Sequence, residues 1–106
     1  MKPNKEVDLK AYAKLSGNCG SFLMKRTKLF IGRNEKRQGN QRFWHIGNQP
    51  KISKKQILII WNPVQVCFQL ENIGRNKISV DKKELAKREK INLHHKSVAK
   101  IIYYYL

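Results

Sequence analysis

The chain has 106 residues, of which 41% are hydrophobic, so it is long enough for one domain with a single core. Its formal net charge of +16 predicts attraction to polyanions, while its seven acidic residues include no pair placed like a general acid and base, so we expect no enzyme. No apolar run approaches about 18 residues and the polar start lacks a signal-peptide core, so we expect no membrane segment and no secretion.

In chain order, a flexible basic leader over residues 1–9 precedes one domain over residues 10–106. Apolar and β-branched runs predict strands at residues 11–15, 21–25, 28–31, 43–46, 56–61, 66–70, 78–80, 91–93 and 98–104. A turn is expected at 72–76 and a hairpin turn at 81–83. Segment 84–90 is the one weak helix candidate, because Glu84 and Arg88 stand four residues apart.

Short strands separated by turn signals predict an all-β sandwich or barrel. The run over 56–61 is typical of a strand buried on both faces, and we expect Phe30, Trp61 and Phe68 in the core. The polar connection 34–51 is long for so small a domain, which favours a functional role. Cys19 and Cys67 form no metal-type cluster, so we expect reduced thiols in an intracellular protein without metal or cofactor.

Three short motifs follow one another where apolar runs end or begin. They are Ile31-Gly32-Arg33-Asn34, Ile52-Ser53-Lys54-Lys55-Gln56 and Asn72-Ile73-Gly74-Arg75-Asn76-Lys77. The Arg33 guanidinium can donate two parallel hydrogen bonds to a phosphate, and the Ser53 hydroxyl and Lys54 ammonium add further donors. The Asn76 amide can pair with the backbone of an extended ligand. Each residue alone is explained as well by an ordinary turn or strand end, but three such motifs in order predict a site for an oxyanion.

With these motifs the sequence resembles the forkhead-associated (FHA) domain, a β sandwich that recognises phosphothreonine peptides. The family pattern is Gly-Arg, then Ser-x-x-His, then Asn-Gly, and the match extends over nearly the whole chain. The segments Ala11-Tyr12-Ala13-Lys14-Leu15-Ser16-Gly17 and Phe22-Leu23-Met24-Lys25-Arg26 are most similar to the FHA domains of forkhead-type transcription regulators. The resemblance implies about eleven short strands, ligand loops at one end, and a nuclear, transcription-linked role.

The resemblance also implies roles for individual residues. Arg33 and Ser53 would hold the phosphate, Lys54 and Arg75 would support it, and Asn76 would bind the peptide backbone. Two positions depart from the pattern. Gln56 stands where the family has a histidine that braces the loops from behind, and Lys77 replaces the glycine after the asparagine. A degenerate FHA fold that acts only as a scaffold is therefore an alternative.

A second alternative is a basic β domain that binds nucleic acid non-specifically, and such DNA contact could coexist with peptide binding. Exposed aromatic residues interleaved with Lys and Arg would favour this reading, but most aromatic residues of this chain lie inside the predicted strands. The preferred prediction is a monomeric interaction module whose partner is a threonine-phosphorylated protein or peptide, with no membrane partner.

Overall fold

The computed structural model describes residues 12–17, 20–33, 42–47 and 49–101. These residues form ten strands and no helix, which confirms the predicted all-β, sandwich-type fold. The strands are β1 (Ala13–Gly17), β2 (Gly20–Met24), β3 (Lys28–Gly32), β4 (Phe43–His45), β5 (Ile57–Asn62), β6 (Cys67–Asn72), β7 (Ile78–Val80), β8 (Lys83–Leu85), β9 (Lys90–Asn92) and β10 (Ala99–Ile101). The predicted leader, Cys19, half of the 34–51 connection and the end of the last predicted strand lie outside the described residues.

The strands form three sheets. The largest has the order β4-β3-β5-β6-β9, with β3 and β4 parallel and the other neighbours antiparallel. A second sheet has the order β10-β7-β8, and β1 and β2 form a separate hairpin. No helix in the described part of the chain could cross a membrane.

The core lies between the two larger sheets. Side chains alternate along each strand, so one register row of the large sheet, Leu29, Ile59 and Leu70, points inward together. These residues pack against a cluster from β7 and β8, and Met24 of β2 joins the same core. At a further inward position of β6, opposite Ile57, the chain places the polar Asn72, which is fully buried. That position is at the edge of the core where the predicted motifs meet.

The helix predicted over 84–90 is wrong. Residues 83–85 instead form β8, because Leu85 lies opposite Ile78 and buries its side chain in the core. The charged residues that suggested a helical pair have other partners: Glu84 lies 3.9 Å from Lys77, and Arg88 lies 4.0 Å from Glu71. Residues 83–85 are therefore a short strand with one inward side chain, that of Leu85.

Two burial predictions also need correction. Strand β5 is an interior strand of its sheet, but it is not buried on both faces, since Ile60 on the outer face is 39% exposed. Trp61 is 36% exposed and Phe30 is only partly buried, with the ammonium groups of Lys28 and Lys55 lying 5.5 and 4.6 Å from the centre of its ring. Alternation along an antiparallel strand explains the exposure of Ile60 and Phe30, which lie on the outer face. Trp61 is on the inward side of β5, but it lies near the end of the strand, beyond the buried part of the row.

The hairpin turn predicted after Val80 is confirmed. Asp81 and Lys82 both have positive φ, 51° and 72°, and they connect the paired residues Val80 and Lys83. A two-residue turn of this hand matches the twist of the flanking strands. Cys67 is a free, partly buried cysteine.

Candidate functional site

The three motifs meet at one end of the sandwich. The motif with Arg33 lies at the end of β3, the motif with Ser53 precedes β5, and the motif with Asn76 begins at the end of β6. The strand order therefore brings all three motifs to the same end of the large sheet. There they surround an open depression of about 380 Å³. The residues that line it are Arg33, Ser53, Lys54, Ile73, Gly74, Arg75 and Lys87. Four of the five residues predicted from the sequence to bind a phosphopeptide therefore lie around one space.

Arg33 is anchored at its backbone and at one side-chain nitrogen. Its N–H donates to the Ser53 carbonyl at 3.1 Å, and its Nε donates to the Ile52 carbonyl at 2.8 Å. Neither terminal nitrogen of the guanidinium donates to another described residue. The bond at Nε holds the planar group in place and leaves its outer N–H groups for a ligand.

Gly32 permits this close approach of the two loops. A Cβ at Gly32 would lie 2.7 Å from the Ser53 carbonyl oxygen and would also overlap the Lys54 carbonyl. Both obstacles are backbone atoms, which cannot rotate away. The glycine before Arg33 is therefore required by packing between backbones.

Ser53 is oriented from both sides. Its N–H donates to Gln56 Oε1 at 3.1 Å, while its Oγ accepts the Arg75 N–H at 2.9 Å. Because Oγ already accepts, its own proton is free to be donated to an anion. The Arg75 side chain is partly engaged, since one terminal nitrogen donates to the Pro50 carbonyl at 3.1 Å.

Two buried amides connect the loops from behind the depression. The Gln56 and Asn72 side chains are both fully buried, and Gln56 Nε2 donates to Asn72 Oδ1 at 3.0 Å. The same Nε2 donates to the Asn76 carbonyl at 3.0 Å, and Asn72 Nδ2 donates to that carbonyl at 2.9 Å. Gln56 thus braces the loops that carry Ser53 and Asn76.

Gly74 closes against this amide pair. Its N–H lies 3.1 Å from both the Asn72 Oδ1 and the Gln56 carbonyl oxygen. A Cβ at this position would overlap three side-chain atoms of Gln56, whose hydrogen bonds prevent it from moving aside. Lys77 has no positive φ and lies at the surface near Glu84, so it fits this turn without backbone strain.

Asn76 is on the correct loop but is not among the residues that line the depression. Its Nδ2 makes a hydrogen bond to the Lys51 carbonyl, and its own carbonyl is held by the buried amides. Its predicted contact with a peptide backbone stays a prediction. The Asn76 Oδ1 accepts no hydrogen bond from the described residues.

The sequence did not predict two features of the site. Asn72 could have been found, because it continues the inward alternation of Phe68 and Leu70 with a polar residue at the strand end. Lys87 could not, because it reaches the depression only if residues 83–85 form a strand and the chain then turns at 86–89.

The turn that carries Lys87 is fixed by Asn72. The Arg88 N–H donates to the Asn72 carbonyl at 2.7 Å, and Asn72 Nδ2 donates to the Leu85 carbonyl at 2.9 Å. Glu89 caps the turn, because its Oε1 accepts the Ala86 N–H at 2.8 Å. Asn72 thereby connects this turn to the Gln56 network and to the other loops.

The depression is positively charged, and the described residues of its lining include no carboxylate. Its cations are Arg33, Lys54, Arg75 and Lys87. The ion pairs nearby involve other cations, since Glu84 is with Lys77 and Glu71 is with Arg88. Among the described residues, no carboxylate lies within ion-pairing distance of the four lining cations.

This arrangement can hold an anion by hydrogen bonds and charge. The described lining contains no His, Asp, Glu or Cys, so it offers no conventional acid, base or thiolate. No group of three or more described His, Cys, Asp or Glu residues is arranged to hold a metal ion. Comparison of the chain with protein-family models gives no match, and comparison with curated proteins gives none either.

Proposed function

We propose that this chain is an interaction module that binds threonine-phosphorylated peptides, of the forkhead-associated type that its motifs resemble. The observation that carries the proposal is the convergence of Arg33, Ser53, Lys54 and Arg75 on one depression, whose described lining residues include no carboxylate. A phosphate group at neutral pH carries about −1.5 to −2 charges and three acceptor oxygens. The guanidinium, the hydroxyl and the ammonium supply donors and charge of the matching kind.

The fixed positions of these donors support binding over general attraction. Arg33 and Ser53 are each held by hydrogen bonds to neighbouring loops, so little side-chain freedom is lost when a ligand arrives. A ligand backbone N–H could reach Asn76 Oδ1, and a ligand carbonyl could replace the Lys51 carbonyl at Nδ2. A nuclear, transcription-linked role remains a prediction from the resemblance alone.

The nucleic-acid alternative is less well supported. The described aromatic residues that are most exposed, Tyr12 and Trp61, each make a T-shaped ring contact with Phe68. The face of Phe30 is already covered by two ammonium groups. A strip of open rings between cations, as single-stranded nucleic acid requires, is therefore not offered by the described aromatic residues.

The test compares two peptides that differ only in phosphorylation of one threonine, with binding followed by fluorescence anisotropy. The natural chain should bind the phosphorylated peptide at least tenfold more tightly, and Arg33→Ala should remove most of that difference, because a charge-assisted hydrogen bond contributes about 1.5–3 kcal/mol. Arg26→Ala is the matched control, since Arg26 is exposed and lies outside the depression lining. It removes the same charge and should leave the difference intact.

Equal binding of the two peptides by the natural chain would overturn the proposal. A salt titration with random-sequence DNA identifies the rival. Tight binding whose affinity falls steeply with salt, together with equal losses in the Arg33→Ala and Arg26→Ala variants, would assign the basic surface to nucleic acid.

A further inference from the structure

The charge around the depression exceeds what one phosphate can neutralise. Arg33, Lys54, Arg75 and Lys87 supply four positive charges, against at most about two negative charges on a phosphothreonine. No described carboxylate pairs with these cations, whereas the adjacent Lys77 and Arg88 both have acidic partners. A ligand with one phosphate would leave about two cations close together and uncompensated.

Lys87 lies on a different loop from the other three cations, and that loop is held by different hydrogen bonds. The loops that carry Arg33, Ser53 and Arg75 are bonded directly to one another, through the Arg33 N–H to the Ser53 carbonyl and the Arg75 N–H to Ser53 Oγ. The 86–89 turn that carries Lys87 makes its described hydrogen bonds to Asn72 and within itself. Lys87 therefore approaches the depression from a fourth loop, beside the group that surrounds Ser53.

The position of Lys87 is set by the fold, although its ammonium is exposed. Asn72 is fully buried and bonds to both sides of the turn, at the Leu85 carbonyl and at the Arg88 N–H. The acidic residues in this region are engaged elsewhere, because Glu89 caps the turn and Glu71 faces Arg88. A fixed turn presents an uncompensated ammonium at the margin of an anion site.

We propose that Lys87 determines specificity, so that the depression selects phosphothreonine peptides that carry a second anionic group, either a carboxylate or a further phosphate. The inference rests on the proposed phosphopeptide function and adds the class of ligand to it. The phosphothreonine lies with Arg33, Ser53, Lys54 and Arg75, and the second anion lies with Lys87. The volume of about 380 Å³ is within the range of small-ligand sites and accommodates both groups.

The experiment uses the full chain and a neutral host peptide with one phosphothreonine. In separate peptides a single Glu, or a single phosphoserine, is placed at each of the three positions on either side of the phosphothreonine. The natural chain should prefer one of these placements over the singly phosphorylated host. At low salt we expect a gain of about threefold for Glu, as for an exposed ion pair, and about tenfold for phosphoserine, which distinguishes the two sources of charge.

Lys87→Gln should abolish that gain, whereas its effect on the affinity for the singly phosphorylated host should be smaller than the gain that is lost, because the host has no second anion for Lys87 to contact. Lys83→Gln is the matched control, an exposed lysine on β8 outside the depression lining, and should keep the full gain. The inference is overturned if no placement improves binding, or if the two lysine variants lose the gain equally.

Failure of the inference is distinguishable from failure of the function on which it rests. If the host peptide binds only when its threonine is phosphorylated but no second anion helps, the phosphopeptide function stands and the role of Lys87 is wrong. If phosphorylation of the threonine makes no difference, both are overturned.

Discussion

At the end of the sandwich that carries the depression, buried side-chain amides join the loops, whereas at the opposite end a surface carboxylate does so. Gln56 and Asn72 hold the first end and are fully buried. At the other end Asp81, in the β7–β8 turn, accepts the Val98 N–H at 2.8 Å and the Ser97 hydroxyl at 2.9 Å. Both are networks of polar groups that connect distant parts of the chain.

The difference between the ends lies in protonation and burial. Amides keep their donors and acceptors at every ordinary pH, so the Gln56 network holds the same geometry throughout. A carboxylate loses charge when it is protonated, so the Asp81 network weakens in acid. The candidate site is thus supported by the end whose hydrogen bonds do not titrate.

The largest expected effect on stability comes from introducing a carboxylate into the buried amide network of Gln56 and Asn72. Gln56→Glu preserves shape but replaces two donated hydrogen bonds with a carboxylate that faces the Asn72 and Asn76 oxygens. We expect a loss of about 3–5 kcal/mol in unfolding free energy at pH 7, as for an unpaired buried charge. Chemical denaturation measures the loss.

That loss should shrink as the pH is lowered, because burial and facing oxygens raise the pKa of the introduced carboxyl and protonation removes its charge. Gln69→Glu is the matched control: it also loses a donated hydrogen bond, from Gln69 Nε2 to Asn92 Oδ1 at 2.9 Å, but Gln69 lies on the outer face of the large sheet and is only partly buried. Its cost should be about 1–2 kcal/mol, below that of Gln56→Glu, because solvent reaches the introduced carboxylate. Equal costs for the two changes would show that the Gln56 network does not hold this end together.

A smaller effect should follow from crowding the amide pair without adding charge. Gly74→Ala places a methyl group against the Gln56 side chain, and we expect a loss of about 1–3 kcal/mol from overpacking, together with weaker phosphopeptide binding. Thermal unfolding and anisotropy report the two quantities.

Gly17→Ala provides the comparison, because a methyl group there would meet the Trp44 ring at an ordinary 3.8 Å. It should leave stability within about 1 kcal/mol of the natural chain, on the stabilising side, since alanine restricts the unfolded chain. A Gly74→Ala variant as stable as Gly17→Ala would contradict the close approach at Gln56.

The smallest effect concerns the carboxylate end. The backbone hydrogen bond from Val98, and then the hydroxyl of Ser97, lower the pKa of Asp81 below its ordinary value. Its contribution to stability should therefore be complete above about pH 4 and be lost as the pH falls through the lowered pKa. Unfolding midpoints measured from pH 7 downward should decline less in Asp81→Asn than in the natural chain. Parallel declines in both chains would remove Asp81 as a contributor.

Much of the fold could be predicted because its inward rows are regular. Strand β7 was predicted with its observed bounds, and β3 and β5 within one residue at either end, because Leu29, Ile57 and Ile59 repeat with the period of a strand. Strand β8 was missed because it buries only Leu85, which is too little to reveal a period. Its identity depends on pairing with β7, a contact that local patterns do not contain.

The residues of the site also fall into two groups: those that local sequence patterns reveal, and those whose position depends on contacts between distant segments. The convergence of Arg33, Ser53, Lys54 and Arg75 on one depression could be predicted because these residues flank strong strand signals. The position of Lys87 at the depression could not be predicted, because it depends on strand β8. The bond from Asn76 to the Lys51 carbonyl was also out of reach, because it joins two loops whose approach is set by Gly32, Gly74 and the buried amides.

The hydrogen bonds of Gln56 have a consequence for how ligands can be detected. They connect Ser53, Asn72 and Asn76, and Asn72 connects the turn of Lys87, so the depression exists only when the β-sheets are assembled. Whatever binds there binds the folded chain and not the unfolded one. A ligand at one hundred times its dissociation constant would then stabilise the fold by about 2.7 kcal/mol through mass action alone. The melting temperature of the chain should therefore rise when a ligand occupies the depression, and the size of the shift reports the ligand concentration relative to its dissociation constant.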